Sequence, residues 1–227
     1  DIACSKNTKE CKEAVTYFLN YAASNPEAEI IYRASDMILQ LDSDAAYLVC
    51  PEARSRAGGY FFLGNKDKKL FNGAIMVLAK IIKNVMASAA KTEVAGLYMN
   101  AQEAVPMRQA VIEMGHPQTA TPMKTDNSTA TGIINNTIKQ KRSKAIDMRF
   151  YWLRDRVKQG MFDVYWEPGL NNLADYPTKH HSGKHHKILR SIYLSKEDSP
   201  TTVQGCVEIL NYKNLERATA KTASALH

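Results

Sequence analysis

Met37-Ile38-Leu39-Gln40-Leu41-Asp42-Ser43-Asp44 is the stretch on which the fold turns, an apolar run that ends in two carboxylates. Residues 37–41 read as a mostly buried strand, with Asp42 and Asp44 just past it. Working outward, Gly58-Gly59-Tyr60-Phe61-Phe62-Leu63 reads as a second strand and residues 73–82 contain a third. Gly64-Asn65-Lys66-Asp67 supplies turn chemistry between them, so the three form an antiparallel meander. From Ser88 the period becomes helical, with Ala90, Val94, Leu97, Tyr98 and Ala101 on one face, until Pro106 interrupts and a second short helix runs to Met114. A strand near residues 123–125 precedes Asp126, a helix follows over 130–138, and Ile146, Phe150, Leu153 and Val157 mark a long helix ending at Gly160. Phe162, Val164 and Trp166 then alternate with Asp163 and Tyr165 as in a half-buried strand. Consecutive strands followed by strands alternating with helices predict an α/β fold, a five-stranded mixed sheet flanked by helices.

Upstream, residues 8–23 carry Cys11, Val15, Phe18 and Leu19 at helical spacing before Asn25-Pro26, an amphipathic helix. The chain opens at Asp1 with a polar stretch, which gives the expectation of a segment excised from a longer polypeptide. Beyond Leu194 periodicity fades, predicting a loosely held tail with a short apolar island at residues 207–210.

The chain has 227 residues, of which 44% are hydrophobic and 23% charged, enough to bury a real core and unlike a disordered or collagenous composition. Its longest apolar stretch, around residues 74–82, is broken by Lys80 and falls short of the roughly 20 residues a membrane helix needs. Cys4, Cys11, Cys50 and Cys206 show no metal or redox spacing and are read as reduced thiols of an intracellular protein. A net charge of +7 favours an anionic partner.

Four carboxylates carry the chemistry. Asp44 and Asp126 follow apolar strands, Asp175 follows Leu173-Ala174 in a short helix after the last strand, and Glu93 projects from the edge of the first helix's buried face. If they converge at one sheet edge, their mutual repulsion requires compensating cations, and hard, oxygen-seeking Mg²⁺ fits such a set. Two such ions about 4 Å apart suit phosphodiester displacement. Spacing alone fits better with four of 23 acidic residues acting as turn formers or helix caps.

The stretches Ser43-Asp44-Ala45, Ser88-Ala89-Ala90-Lys91-Thr92-Glu93, Thr125-Asp126-Asn127-Ser128 and Leu173-Ala174-Asp175-Tyr176-Pro177-Thr178-Lys179 resemble, in order, the successive motifs of the ribonuclease H domain in copia-type retrotransposon polyproteins. Lys144-Ala145-Ile146-Asp147-Met148-Arg149-Phe150, with Arg154 and Gly160, resembles that group's helix before the last acidic motif. The resemblance implies a ribonuclease H-like fold whose first three strands are antiparallel, and hydrolysis of the RNA strand of RNA–DNA hybrids. It also implies two Mg²⁺ ions, replaceable by Mn²⁺, held by Asp44, Glu93, Asp126 and Asp175. It divides the chain into a linker helix at residues 1–36 following a reverse transcriptase in the same polyprotein, a nuclease domain at 37–194 and a tail at 195–227. Asp42 competes with Asp44, which is preferred for its Ser-Asp-Ala context. Two departures, Lys91 where the group carries a second Glu and no His between Gly160 and Asp175, support the alternative of a nucleic-acid-binding scaffold that cuts slowly or not at all. Integrases share the fold, but no Glu lies between Asp126 and Glu167 to serve as their last ligand.

Residues 139–158 hold eight Lys or Arg against two Asp, and Arg142, Arg149 and Arg156 recur every seven residues. This one-sided charge is read as phosphate contact, which positions a duplex without reading bases. Arg54 and Arg56, placed between the first two strands, are further backbone contacts, and Asn127 and Ser128 are candidates for the RNA 2′-hydroxyl. Trp152 and Trp166 are read as core or partly covered rather than as stacking platforms, and the His-rich run at residues 179–187 as a basic flank rather than a zinc site.

Overall fold

Alternation governs the first strand. β1 (Ile38–Cys50) does not stop before its carboxylates but carries Asp42 and Asp44 inside the sheet. Leu39, Leu41 and Ala45 enter the larger core cluster. Gln40, Asp42 and Asp44 occupy the other face by the strand's period of two. That polar face is covered, so each member needs a partner there. Gln40 donates to Asn65 O, Asp42 pairs with Lys124, and Asp44 accepts from the Thr178 hydroxyl.

The computed structural model describes residues 8–138, 148–169, 172–194 and Thr202. Among them α1 (Lys9–Ala23) starts at the Thr8 cap and buries none of its residues. β1 is followed by β2 (Arg54–Gly64) and β3 (Ala74–Ile82). α2 (Ala89–Glu113) comes next, then β4 (Thr121–Thr125), α3 (Ser128–Ile134), α4 (Met148–Lys158) and β5 (Phe162–Trp166). A 3₁₀ helix (Leu173–Thr178) and α5 (Gly183–Tyr193) complete the order. Among the described residues the five strands form one sheet in the order β3-β2-β1-β4-β5. β1–β2 and β2–β3 are antiparallel, whereas β1–β4 and β4–β5 are parallel. This is the five-stranded mixed sheet of the ribonuclease H-like fold that the motif order implied. None of the described helices is long and apolar enough to cross a membrane.

Two packed layers hold the sheet. Leu97, Ala101 and Ala104 of α2, Ala130 to Ile134 of α3 and Phe150 and Leu153 of α4 close one face. Tyr60, Phe62 and Phe71 meet Leu173 of the 3₁₀ helix and Leu189 and Ile192 of α5 on the other.

Several sequence readings are corrected. Pro106 does not divide a helix: α2 runs through it for 25 residues. An interior proline costs about 3 kcal/mol in lost hydrogen bonding and ring clash, but Ala101 and Ala104 before it and Val111 after it are all buried. That shared burial keeps both halves on one axis. Arg54, Ser55 and Arg56 belong to β2 rather than to the connection, because their ladder with β1 and β3 continues through Arg56↔Ala46 and Arg56↔Ile81. α3 ends at Ile134, four residues early, with Asn136 in the left-handed region at φ 60°. The His-rich run, for which no element was assigned, leads into α5 at the Ser182 cap. The apolar island at 207–210 lies outside the described residues, although Thr202 bridges to Leu70.

Candidate active site

Glycines let the site assemble. A Cβ on Gly96 would stand 3.1 Å from Ala45 Cβ and 3.3 Å from Asp44 O, so its absence lets α2 press against β1 beside Asp44. Glu93, three residues earlier on the same helix face, is thereby brought to Asp44. Opposite Asp44 in the β1–β2 ladder is Gly58, whose missing Cβ would fall 2.5 Å from Thr178 Cγ2 and 2.6 Å from Ala174 O. That space admits the 3₁₀ helix. Asp126 follows the last residue of β4, and Trp166 Nε1 donates to its carbonyl at 2.9 Å.

Ser43, next to Asp44, is fixed from two directions. Asn100 Nδ2 of α2 donates to Ser43 Oγ and to Gly58 O, both at 2.8 Å. Asn172, which caps the 3₁₀ helix, donates to Ser43 O at 2.8 Å. Asp42 accepts from Lys124 Nζ at 2.9 Å and from Leu173 N at 3.0 Å, tying the start of the 3₁₀ helix to the sheet. Asp42 is therefore a structural anchor, and Asp44 is the residue that joins the cluster.

Asp44, Glu93 and Asp126 offer carboxylate oxygens all within 4.8 Å of one another, the first two buried. Burial, opposed by the Thr178 hydroxyl and Lys179 and reinforced by Asp175 and Asp126, raises Asp44 to about 6. Burial first, then the charges of Asp44 and Asp126, raises Glu93 to about 9, with the Ala45 N–H and Lys179 pulling the other way. Asp126 is raised by burial and by Asp175. Three carboxyls this close cannot all ionise without a cation. Glu93 Oε2 is moreover buried without a hydrogen-bond partner among the described residues. An orphaned carboxylate oxygen in an all-oxygen donor set fits a hard divalent cation such as Mg²⁺ or Mn²⁺.

Asp175 stands beside this group rather than within it. Its charge acts on Asp44 and Asp126, while its own Oδ1 is paired with Lys179 Nζ. Thr178 Oγ1 lies 2.7 Å from Asp44 Oδ2 and 2.8 Å from Asp175 O, so its one proton serves either acceptor. Thr178 and Lys179 were missed in the sequence as site residues. Their signal was the spacing: on a 3₁₀ helix residues three apart eclipse, which puts position 178 over Asp175.

The other candidates are dispersed. Asn127 caps α3 through Oδ1, 2.9 Å from Ala130 N, and Ser128 is exposed on its first turn. Arg54 pairs with Glu52 at 2.7 Å, and with Arg56 it borders a groove formed by Val15, Phe18, Ile81 and Tyr98. Arg156 donates to Gln159 at 2.7 Å and lies over the Trp152 ring. Arg149 lies on α4, and Arg142 lies outside the described residues. Trp166, expected in the core or partly covered, is 49% exposed, with its indole nitrogen donating to the Asp126 carbonyl. His181, His185 and His186 stack with Tyr176 or one another, and His186 Nε2 meets the Tyr21 hydroxyl at 2.9 Å. They form no metal-binding group among the described residues.

Over 171 residues, 75% of its length, this chain is 27% identical to the retrovirus-related Pol polyprotein from transposon TNT 1-94 of Nicotiana tabacum. The chain is similar to part of a retrotransposon Pol polyprotein. It spans 12% of that polyprotein's length. No family model matches the chain. Among solved structures it is similar to the N-terminal RNase H domain of rv2228c from Mycobacterium tuberculosis (15% identity, 63% of this chain and 91% of that one, TM-score 0.44). It is also similar to LC11-RNase H1 isolated from compost (10%, 62% and 92%, TM-score 0.47) and to the protease–reverse transcriptase of prototype foamy virus (13%, 58% and 17%, TM-score 0.34). The fold itself rests on the strand order and register described above.

Proposed function

We propose that the chain is a divalent-metal-dependent endonuclease that hydrolyses the RNA strand of RNA–DNA hybrids within a retrotransposon reverse transcriptase polyprotein. The observation that carries this is the meeting of Asp44, Glu93 and Asp126, from three separate elements, around one point. Glu93, held protonated at neutral pH by burial and by the charges of Asp44 and Asp126, would ionise as the site takes up Mg²⁺ or Mn²⁺ on Asp44, Glu93 and Asp126, with Asp175 as the fourth ligand. Two such ions supply an activated water and charge stabilisation at the leaving 3′-oxygen. The chain's own groups do the rest. Ser43 is locked by Asn100 and Asn172, which fixes the Asp44 backbone. Thr178 holds the Asp44 carboxylate in one orientation. Arg54, Arg56 and the basic residues 139–158 supply phosphate contacts, and Ser128, exposed beside Asp126, is the candidate for the 2′-hydroxyl.

The test is a labelled RNA–DNA hybrid incubated with the purified chain and Mg²⁺ or Mn²⁺, alongside Asp126→Asn. Cleavage that requires metal and falls at least about 100-fold in the variant is the expected result. Hybrid binding without cleavage, or equal cleavage by both proteins, would sink the nuclease reading in favour of a scaffold.

A further inference from the structure

Lys179 is the cation among the acids. It follows the 3₁₀ helix directly, its Nζ pairs with Asp175, and the pair is i,i+4 in sequence. Neighbouring Thr178 places its hydroxyl within hydrogen-bond reach of Asp44, so one short segment presents both a hydroxyl and an ammonium to the carboxylates. Partial burial pulls Lys179 down, yet its bond to Asp175 and the charges of Asp175, Asp44 and Asp126 raise it above the usual lysine value. Lys91, two residues before Glu93 in the first turn of α2, donates its backbone N–H to the Ser88 cap.

We propose that Lys179 is an internal counter-ion that occupies Asp175 in the metal-free protein and competes with a divalent cation for it. The proposal rests on the metal-centre reading above and deepens it. Its physical basis is charge repulsion, because an ammonium and a divalent ion drawn to one carboxylate repel each other at that short range. Asp175 therefore exchanges Lys179 for the incoming ion, and the affinity measured is net of that exchange. The device keeps the site compact before loading and weakens binding, so that full occupancy waits for another anion, the nucleic-acid phosphate, to offset the remaining positive charge.

Lys179→Met keeps the aliphatic stem and removes the charge, and because the Lys179 side chain is 47% exposed the change leaves the core intact. Mn²⁺ affinity is measured by calorimetry without nucleic acid for the wild type, Lys179→Met, Lys179→Arg and Asp126→Asn. Lys179→Met should bind Mn²⁺ about fivefold more tightly, Lys179→Arg close to the wild type, and Asp126→Asn much more weakly. A general loss of structure would weaken binding, so the direction separates the two roles. Unchanged or weaker binding by Lys179→Met, with Asp126→Asn impaired, overturns the counter-ion alone. Undiminished binding by Asp126→Asn overturns the metal centre and the counter-ion with it.

Discussion

At the scale of single residues the site is a balance of protons and hydrogen bonds. Thr178 is 1% exposed, and its hydroxyl is the hydrogen bond that restrains the rise of the Asp44 pKa. Thr178→Val keeps the shape and deletes the donor. A hydrogen bond to the charged form favours that form, so its loss should move Asp44 further above about 6. Two measurements check this. The NMR titration of the Asp44 carboxyl should shift to higher pH, and denaturant unfolding should show a loss of about 1 kcal/mol. A titration that stays in place would show that Thr178 orients the 3₁₀ helix through Asp175 O and does not tune Asp44.

At the scale of elements the weight falls on the junction between β1, β4 and the 3₁₀ helix. Lys124 and Asp42 are both 4% exposed at the side chain, and Asp42 also accepts from Leu173 N. Removing one partner from such a pair leaves an uncompensated charge and typically costs about 3–5 kcal/mol. Lys124→Met should lose stability on that scale in urea unfolding. Asp42→Leu combined with Lys124→Met should recover only part of it, because Leu173 N then lacks its acceptor. A loss under about 1 kcal/mol in Lys124→Met would show that water reaches Asp42. This junction also explains how far the sequence could be read. The order of strands and helices was legible because each apolar run had a clear period, and Asp44, Glu93 and Asp126 were legible through the resemblance of the motifs around them, since spacing alone did not single them out. The extent of β1 was not, since Gln40, Asp42 and Asp44 look like the end of a strand unless the segment covering them is known. That cover, residues 173–193, comes from more than 120 residues downstream, as the Leu173–Asp42 bond shows. The unbroken run of α2 through Pro106 was hidden for the same reason: long-range packing decides it, not local propensity.

At the scale of the whole molecule a net charge of +7 coexists with an acidic centre that is intolerant of ionisation. Asp44, Glu93 and Asp126 all have folded values above their ordinary ones, chiefly through burial. Between the ordinary carboxylate range and about 9, the folded chain therefore keeps protons that the unfolded chain has released. By linkage, stability without metal must fall as pH rises through that window. His186 has the opposite sign, for burial lowers it and the fold gains stability as pH climbs through the usual histidine range. Glu93→Gln separates the two, leaving His186 untouched while removing the group with the largest upward shift. In EDTA the wild type should melt on the order of 5 °C lower relative to Glu93→Gln at pH 8.5 than at pH 5. Saturating Mn²⁺ at pH 8.5 should raise the wild-type Tm and leave Glu93→Gln nearly unmoved, because a bound divalent ion takes the place of the proton. Parallel melting curves for the two proteins across this range, with or without Mn²⁺, would show that Glu93 ionises freely in the folded chain and that burial does not govern the centre.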